Sequence, residues 1–350
     1  MIRPREQLKG LYRSVQSCDS RDGILRLDMN EYVPNASQAL YAELMDALDP
    51  EILSAYPLVN EAYHAISRLL RQPEEKIVLT AGSDGVSYST LMAFCDPGDT
   101  VYYVAPTYGM YAVYAEMMGL CAQPILYSLK TPLDQEAVLN SIDETVKVFI
   151  IANPNGIFGN EVDRAFIENL VSRGNETGTV ILLDEVYAVF QDMGYSRYLD
   201  LIDRYDNLVI ARSFSKGYGL AGVRAGYAIS HPDMRKALIA VRSNVEINAV
   251  AVEAIKIWCR HHDLLVQSVT EINGAKAYID AFLTKLGLKH INGAANFVLL
   301  QVKDEAEWRE KFEAHKVAVK WMVLDGESWI RVTVGTKEYM ERFINLLLEL

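Results

Sequence analysis

Paired cysteines, long apolar runs and clusters of basic residues are all missing from this chain, and each absence removes a class of function. The 350 residues include 4 cysteines, Cys18, Cys95, Cys121 and Cys259, spaced far apart with no C-x-x-C pair. That usage supports neither a disulfide framework nor a zinc site, so no metal is expected and a reducing cytoplasm fits. No apolar run reaches the roughly 18 residues that a membrane helix needs, and the opening MIRPREQLKG is polar, so neither membrane insertion nor export is expected. Lysine and arginine total 34 against 46 acidic residues, for a net charge of -12. Nucleic-acid affinity rests mostly on clustered cations, so no nucleic-acid partner is expected. The sequons Asn35-Ala36-Ser37 and Asn175-Glu176-Thr177 carry no weight in a chain read as unexported.

What is present is an α/β rhythm in a composition, 50% hydrophobic and 23% charged, that suits a globular chain of two domains. Short β-branched or aromatic runs at 76–80, 100–105, 147–152, 180–184 and 208–212 alternate with amphipathic segments such as 83–94 and 164–173. The alternation predicts a mostly parallel sheet covered by helices. A long helical stretch is expected from Pro232 to about Leu286. Beyond it the pattern changes to strand 296–301, helix 305–315, strands 317–323 and 329–334, and helix 337–350, which reads as a separate α+β domain.

Functional groups in open α/β sheets gather at the carboxyl ends of the strands. The first strand ends in Ala81-Gly82-Ser83-Asp84-Gly85, a turn into a helix whose first amides suit an anion. The later ends carry Pro106-Thr107-Tyr108-Gly109-Met110-Tyr111, Asn153-Pro154-Asn155-Gly156, Asp184-Glu185-Val186-Tyr187 and Ser213-Phe214-Ser215-Lys216. Just after Lys216, residues Gly217 to Gly222 fit the dinucleotide pattern G-x-G-x-x-G. That pattern belongs at the first βα turn, with an acidic residue about 20 positions on. Here it follows several strand-like runs, and the next strand ends in Ser230-His231-Pro232, so the glycines are read as close packing beside Lys216.

Together the strand ends supply what a pyridoxal phosphate enzyme needs: a grip on phosphate, a partner for the ring nitrogen, a stacking face and an amine for the aldehyde. Lys216 is expected to tether the aldehyde, Asp184 to pair with the ring nitrogen, Tyr187 to bond the ring hydroxyl and Tyr108 to stack on the ring. Phosphate falls to Gly82, Ser83, the Asp84 amide, Ser213, Ser215 and Arg224.

These residues sit in an ordered series of motifs. It runs from Leu27-Asp28-Met29-Asn30-Glu31 through Ala55-Tyr56-Pro57 and Ser215-Lys216-Gly217-Tyr218-Gly219 to Arg331-Val332-Thr333-Val334-Gly335-Thr336. The series resembles the class I/II aminotransferases of the fold-type I pyridoxal phosphate superfamily, and within them the histidinol-phosphate aminotransferase subgroup. The resemblance implies an α/β large domain with a mostly parallel sheet over 46–286, a small α+β domain over 287–350, and an N-terminal arm, 1–45, joining the small domain. It implies a homodimer with shared active sites, where Tyr56 reaches the neighbour's cofactor phosphate. It also implies that Arg331 binds a substrate carboxylate or phosphate, with Asn30 and Asn296 lining that pocket. An amino donor and a 2-oxo acid acceptor follow, with Lys216 moving the substrate's α-proton. Decarboxylation of a phosphorylated amino acid, or a non-catalytic pyridoxal phosphate-binding regulator, are the alternatives.

The chain departs from that pattern in places. Where the family carries an asparagine bonded to the ring hydroxyl it has Gly156, so either Asn155 substitutes from one position earlier or Tyr187 holds the hydroxyl alone. Lys320 stands where the subgroup tends to have a second arginine, and a lysine is a point charge and not a bidentate fork.

Overall fold

The computed structural model describes residues 5–8, 11, 21–31 and 38–349. Cys18, the Asn35-Ala36-Ser37 sequon and much of the expected N-terminal arm lie outside them. The strands of the described residues are β1 (Leu25–Leu27), β2 (Ile77–Thr80), β3 (Thr100–Ala105), β4 (Cys121–Leu126), β5 (Val146–Ala152), β6 (Val180–Asp184), β7 (Leu208–Ser213), β8 (Gly226–Ser230), β9 (His290–Asn292), β10 (Phe297–Gln301), β11 (Val317–Leu324) and β12 (Glu327–Thr333). They form a seven-stranded sheet, β2-β8-β7-β6-β5-β3-β4, and a five-stranded sheet, β1-β11-β12-β10-β9.

In the large sheet β4, β3, β5, β6 and β7 pair in parallel, and β8 runs antiparallel to both β7 and β2. Parallel sheets are covered on both faces, which is why β6, Val-Ile-Leu-Leu-Asp, is buried along its whole length. Alternation then sorts the side chains. Phe149, Ile151, Ile181, Leu183 and Ile210 join one core, while Val148, Ile150, Val180, Leu182 and Val209 join the other. The strand β4, Cys-Ala-Gln-Pro-Ile-Leu, is missing from the sequence reading. It lies at the sheet edge, mostly exposed, where Pro124 is tolerated and no apolar run announces a strand.

The helical stretch from Pro232 is three helices, Pro232–Val241, Ala249–Arg260 and His262–Lys285, and not one. Asn248 starts the second by accepting the Ala251 amide on its side chain at 2.8 Å, a cap that ends helical continuity before it. In the small sheet β1 pairs in parallel with β11, Leu25 opposite Val317, so a segment from near the start of the chain completes a sheet built from its end. Among the described residues no helix is long and apolar enough to cross a membrane.

Behind the ends of β6 and β7 lies a buried ionic triad. Arg212 on β7 donates through Nη1 to Glu185 at 3.0 Å and to Asp192 at 2.7 Å, and through Nη2 to Asp192 at 3.1 Å. All three side chains are almost without exposed surface. Taking charges out of water is expensive, and only well-formed bonds offset it, so removing the shared cation strands two acids. Arg212→Met is therefore expected to lower stability by about 3–5 kcal/mol, seen as a fall in the denaturant midpoint. Adding Glu185→Gln should recover part of that loss, and a single variant as stable as the parent would disprove the triad's role.

Candidate active site

Because β2, β3, β5, β6 and β7 point the same way, their carboxyl ends share one edge of the large sheet. There Asp184 on β6 stands in register between Ala152 on β5 and Ala211 on β7. Its carboxylate is almost fully buried; Oδ1 accepts the Val186 amide at 3.0 Å and Oδ2 accepts the Tyr111 hydroxyl. Burial pushes its pKa up to about 6, against the pull of those two donors and of the Lys216 charge. Tyr111 was not among the expected site residues. Its signal was its place three positions after Tyr108, at the start of the helix Met110–Met118, which turns it inward to full burial.

The turn after β2 leads directly into an uncapped helix start. Gly82, at φ 77, starts the helix Ser83–Phe94 with no side-chain cap, so the first amides at Ser83 and Asp84 are presented outward. The strand β8 passes so close that a Cβ on Gly226 would lie 2.5 Å from the Gly82 carbonyl carbon. Arg224, half-exposed, reaches Asp84 at 3.3 Å through Nη2. At the end of β7, Ser213 Oγ accepts the Ser215 amide at 3.1 Å, both residues being buried. Tyr108 packs edge-on against Tyr111, with centroids 5.7 Å apart, and burial together with Asp84 holds its phenol well above the usual value.

The opposite wall comes from the small sheet and from residues 28–30. Lys216 Nζ donates to the Met29 carbonyl at 3.0 Å and stands 5.7 Å from the centre of the Tyr187 ring. The Tyr187 hydroxyl accepts Asn30 Nδ2 at 2.8 Å. Arg331, on β12, donates to the Gly156 carbonyl at 2.7 Å and to the Asp28 carbonyl at 3.3 Å, and lies 5.2 Å over the Phe297 ring. Among the described residues its buried Nε has no partner and no carboxylate forms an ion pair with it, and burial pulls its guanidinium below the usual arginine value. Lys320 is directly across from Arg331 in the β11/β12 pairing, so the two share a face, with Lys320 exposed. Tyr56 is 86% exposed in the single chain, beside the exposed Leu53 and Leu58.

Three expected site residues have polar atoms engaged within the fold. Asn155 commits atoms of its amide to the turn that carries it. Nδ2 donates to the Pro106 carbonyl at 2.9 Å, and Oδ1 accepts the Ile157 and Phe158 amides at 2.7 and 2.9 Å, because its own tight turn needs that acceptor. Asn30 and Asn296 do not line an open pocket, since neither has exposed surface. Asn296 instead donates to the Asn30 carbonyl at 3.3 Å, and Asn30 is locked between Thr333 and Tyr187.

An amine beside a phenol, a buried acid, an uncapped helix start and a cation without an ion pair among the described residues are thus gathered between the carboxyl edge of the large sheet and the small sheet. The family described as "Aminotransferase class I and II" matches residues 22–347. A histidinol-phosphate aminotransferase of Geotalea uraniireducens is 30% identical over 93% of this chain and 92% of its own length. Another, from Trichormus variabilis, is 29% identical over 93% and 92%. Among solved structures, the histidinol-phosphate aminotransferase of Sinorhizobium meliloti in complex with pyridoxal-5'-phosphate superposes with a TM-score of 0.87 at 20% identity, covering 100% of this chain and 97% of that one. A Thermus thermophilus aspartate aminotransferase gives a TM-score of 0.80 at 17% identity, covering 99% of each. Decarboxylation and a purely regulatory role are not favoured by these likenesses.

The buried acid carries a prediction of its own. The folded pKa of Asp184, about 6, lies above the unfolded value of about 4, so the cofactor-free fold holds this proton more tightly than the unfolded chain. Stability from that proton is present below about pH 4 and is lost as pH rises through 6, a change of about 3 kcal/mol. Asp184→Asn should therefore raise the denaturant midpoint of the cofactor-free protein at about pH 7.5 and leave it nearly unchanged at about pH 4. Equal midpoints for the two proteins at both pH values would overturn the assignment of a raised pKa.

Proposed function

We propose, from the premise that this chain belongs to the class I and II aminotransferase family and is a pyridoxal phosphate-dependent aminotransferase, that its amino donor carries an anion which Arg331 binds. The carrying observation is the Arg331 guanidinium itself: partly buried, facing backbone carbonyls, with Nε lacking a partner among the described residues. Such a desolvated cation is costly until an anion joins it, and a planar fork binds a carboxylate or a phosphate through paired bonds. Lys320 adds a second positive charge on the same face. The names of the relatives make histidinol phosphate the first donor to test, with a 2-oxo acid as acceptor.

The residues of the cleft fit the cofactor. The uncapped helix start at Gly82, Ser83 and Asp84, with Ser213, Ser215 and Arg224, would hold its phosphate. Asp184, buried without an ion pair among the described residues, would hold the protonated ring nitrogen, a cation that returns its carboxylate to the charged form. Tyr108 would cover the ring and Tyr187 would meet its hydroxyl. When bound, pyridoxal phosphate supplies an aldehyde that takes up amines and a ring that spreads the electron pair left when the α-proton departs. Lys216 would tether the aldehyde at rest and, released as a free amine, would carry the α-proton on Nζ from the substrate carbon and give it back. The Met29 carbonyl, which accepts from Nζ at 3.0 Å, orients that amine toward the cleft.

The chain would act as a homodimer in the cytoplasm, in amino-acid biosynthesis. Tyr56, Leu53 and Leu58 are large and exposed in the single chain, as expected of a face that a second copy covers, and Tyr56 would reach the neighbour's phosphate.

Mixing the holoenzyme with a donor and no acceptor should change the visible absorbance once and release one equivalent of carbonyl product. Carbon dioxide in place of that product would overturn transamination. Borohydride reduction and peptide mapping should label Lys216. Arg331→Ala should raise KM for the anionic donor about 30-fold or more, the loss of a charge-assisted contact of about 2–5 kcal/mol. An unchanged KM would remove Arg331 from the substrate site.

A further inference from the structure

We infer that Asn30 is a positioning residue for Tyr187: it aims the Tyr187 hydroxyl as a donor at the cofactor's ring oxygen, at the place where this chain has lost the family's own amide. The inference rests on the role given to Tyr187 above. Asn30 has no exposed surface and sits in left-handed backbone at φ 53. Its N–H donates to Thr333 Oγ1 at 2.9 Å, and that hydroxyl donates back to Asn30 Oδ1 at 3.1 Å. Asn296 donates to its carbonyl, and its remaining donor, Nδ2, reaches the Tyr187 hydroxyl at 2.8 Å.

The direction of the amide follows from counting protons. Reversing it would leave the Thr333 hydroxyl proton, buried on β12, without the acceptor it has now. With Nδ2 facing Tyr187, the phenol accepts from Asn30 and its single proton is free to point elsewhere. A hydroxyl that accepts one hydrogen bond is a stronger donor in the next. Among the described residues Asn30 is the hydrogen-bond partner of this phenol.

Gly156 lies against the same ring. A Cβ there would meet Tyr187 Cε2 at 3.2 Å, so a side chain at this position would need the ring to give by a few tenths of an ångström. The family's direct amide is thus exchanged for an amide acting through a phenol. Its anchor, Thr333, lies two residues beyond Arg331 on the same strand, so the donor and the proposed anion grip share one support.

The test reads the pH midpoint of the bound cofactor's visible absorbance, not turnover. A donor to the ring oxygen favours the deprotonated form, in which that oxygen carries more negative charge, so weakening the donor raises the midpoint. Asn30→Gly keeps the left-handed backbone and should raise the midpoint by about 0.3–1 unit. Asn30→Asp, of equal size, should raise it at least as far by drawing the phenol proton to itself. Tyr187→Phe should raise it further, and adding Asn30→Gly to that variant should change nothing more. Arg331, the charged group beside Tyr187 other than the tethering Lys216, is the same in every protein compared. An unmoved midpoint in both Asn30 variants, or an equal added shift in the Tyr187→Phe background, would overturn the inference. A Tyr187→Phe midpoint equal to the parent's would overturn the inference and the role of Tyr187 together.

Discussion

The site depends on burying charge at the carboxyl edge of a parallel sheet. Arg212, Glu185 and Asp192 are out of water and bonded to one another, with the Gly194 amide also donating to Asp192 at 2.9 Å, so their positions tolerate little movement. Glu185 follows Asp184 directly and Arg212 precedes Ser213, which ties the acid and the hydroxyl of the cleft to that triad. The Glu185 amide also donates to the Ala211 carbonyl at 2.9 Å, continuing the ladder one residue past the end of β6. At that strand edge Asp184 has no ion pair among the described residues, and burial raises its pKa to about 6.

The second constraint joins the two sheets. Residues 28–30 offer three successive carbonyls, and each holds a different element: Asp28 takes Arg331, Met29 takes Lys216 and Asn30 takes Asn296. The Asn30 side chain adds Tyr187. A segment with almost no regular structure therefore touches the amine, the phenol and the cation of the cleft. Phe297 fills the space between, edge-on to Tyr187 at 5.9 Å and beneath Arg331. Because backbone carbonyls do this work, the side chains of Asp28 and Met29 carry little of the information.

The parts that could be read from the chain are those with local causes. Short β-branched or aromatic runs located β2, β3, β5, β6 and β7, and the Ser-x-Ser-Lys run located Lys216. The parts that could not be read have distant partners or weak local patterns. The edge strand β4 shows neither alternation nor an apolar run, β1 is only three residues long, and Asn248 breaks a pattern that otherwise continues as helix. The turn bonds of Asn155 could not be read either, because an amide next to a glycine looks free until the turn that engages its oxygen is folded.

By itself, then, the sequence determined the α/β layering, the order of the strand ends and the chemical types gathered there, since periodicity and turn chemistry act over a few residues. It also contained the loss of the amide at Gly156. Only the tertiary structure decided what each group faces: Tyr111 on Asp184, 73 residues apart, Asn30 on Tyr187, 157 apart, and Thr333 on Asn30, 303 apart. Those contacts depend on which side chains share the buried space between two sheets, where burial favours hydrogen-bond partners that no local pattern names.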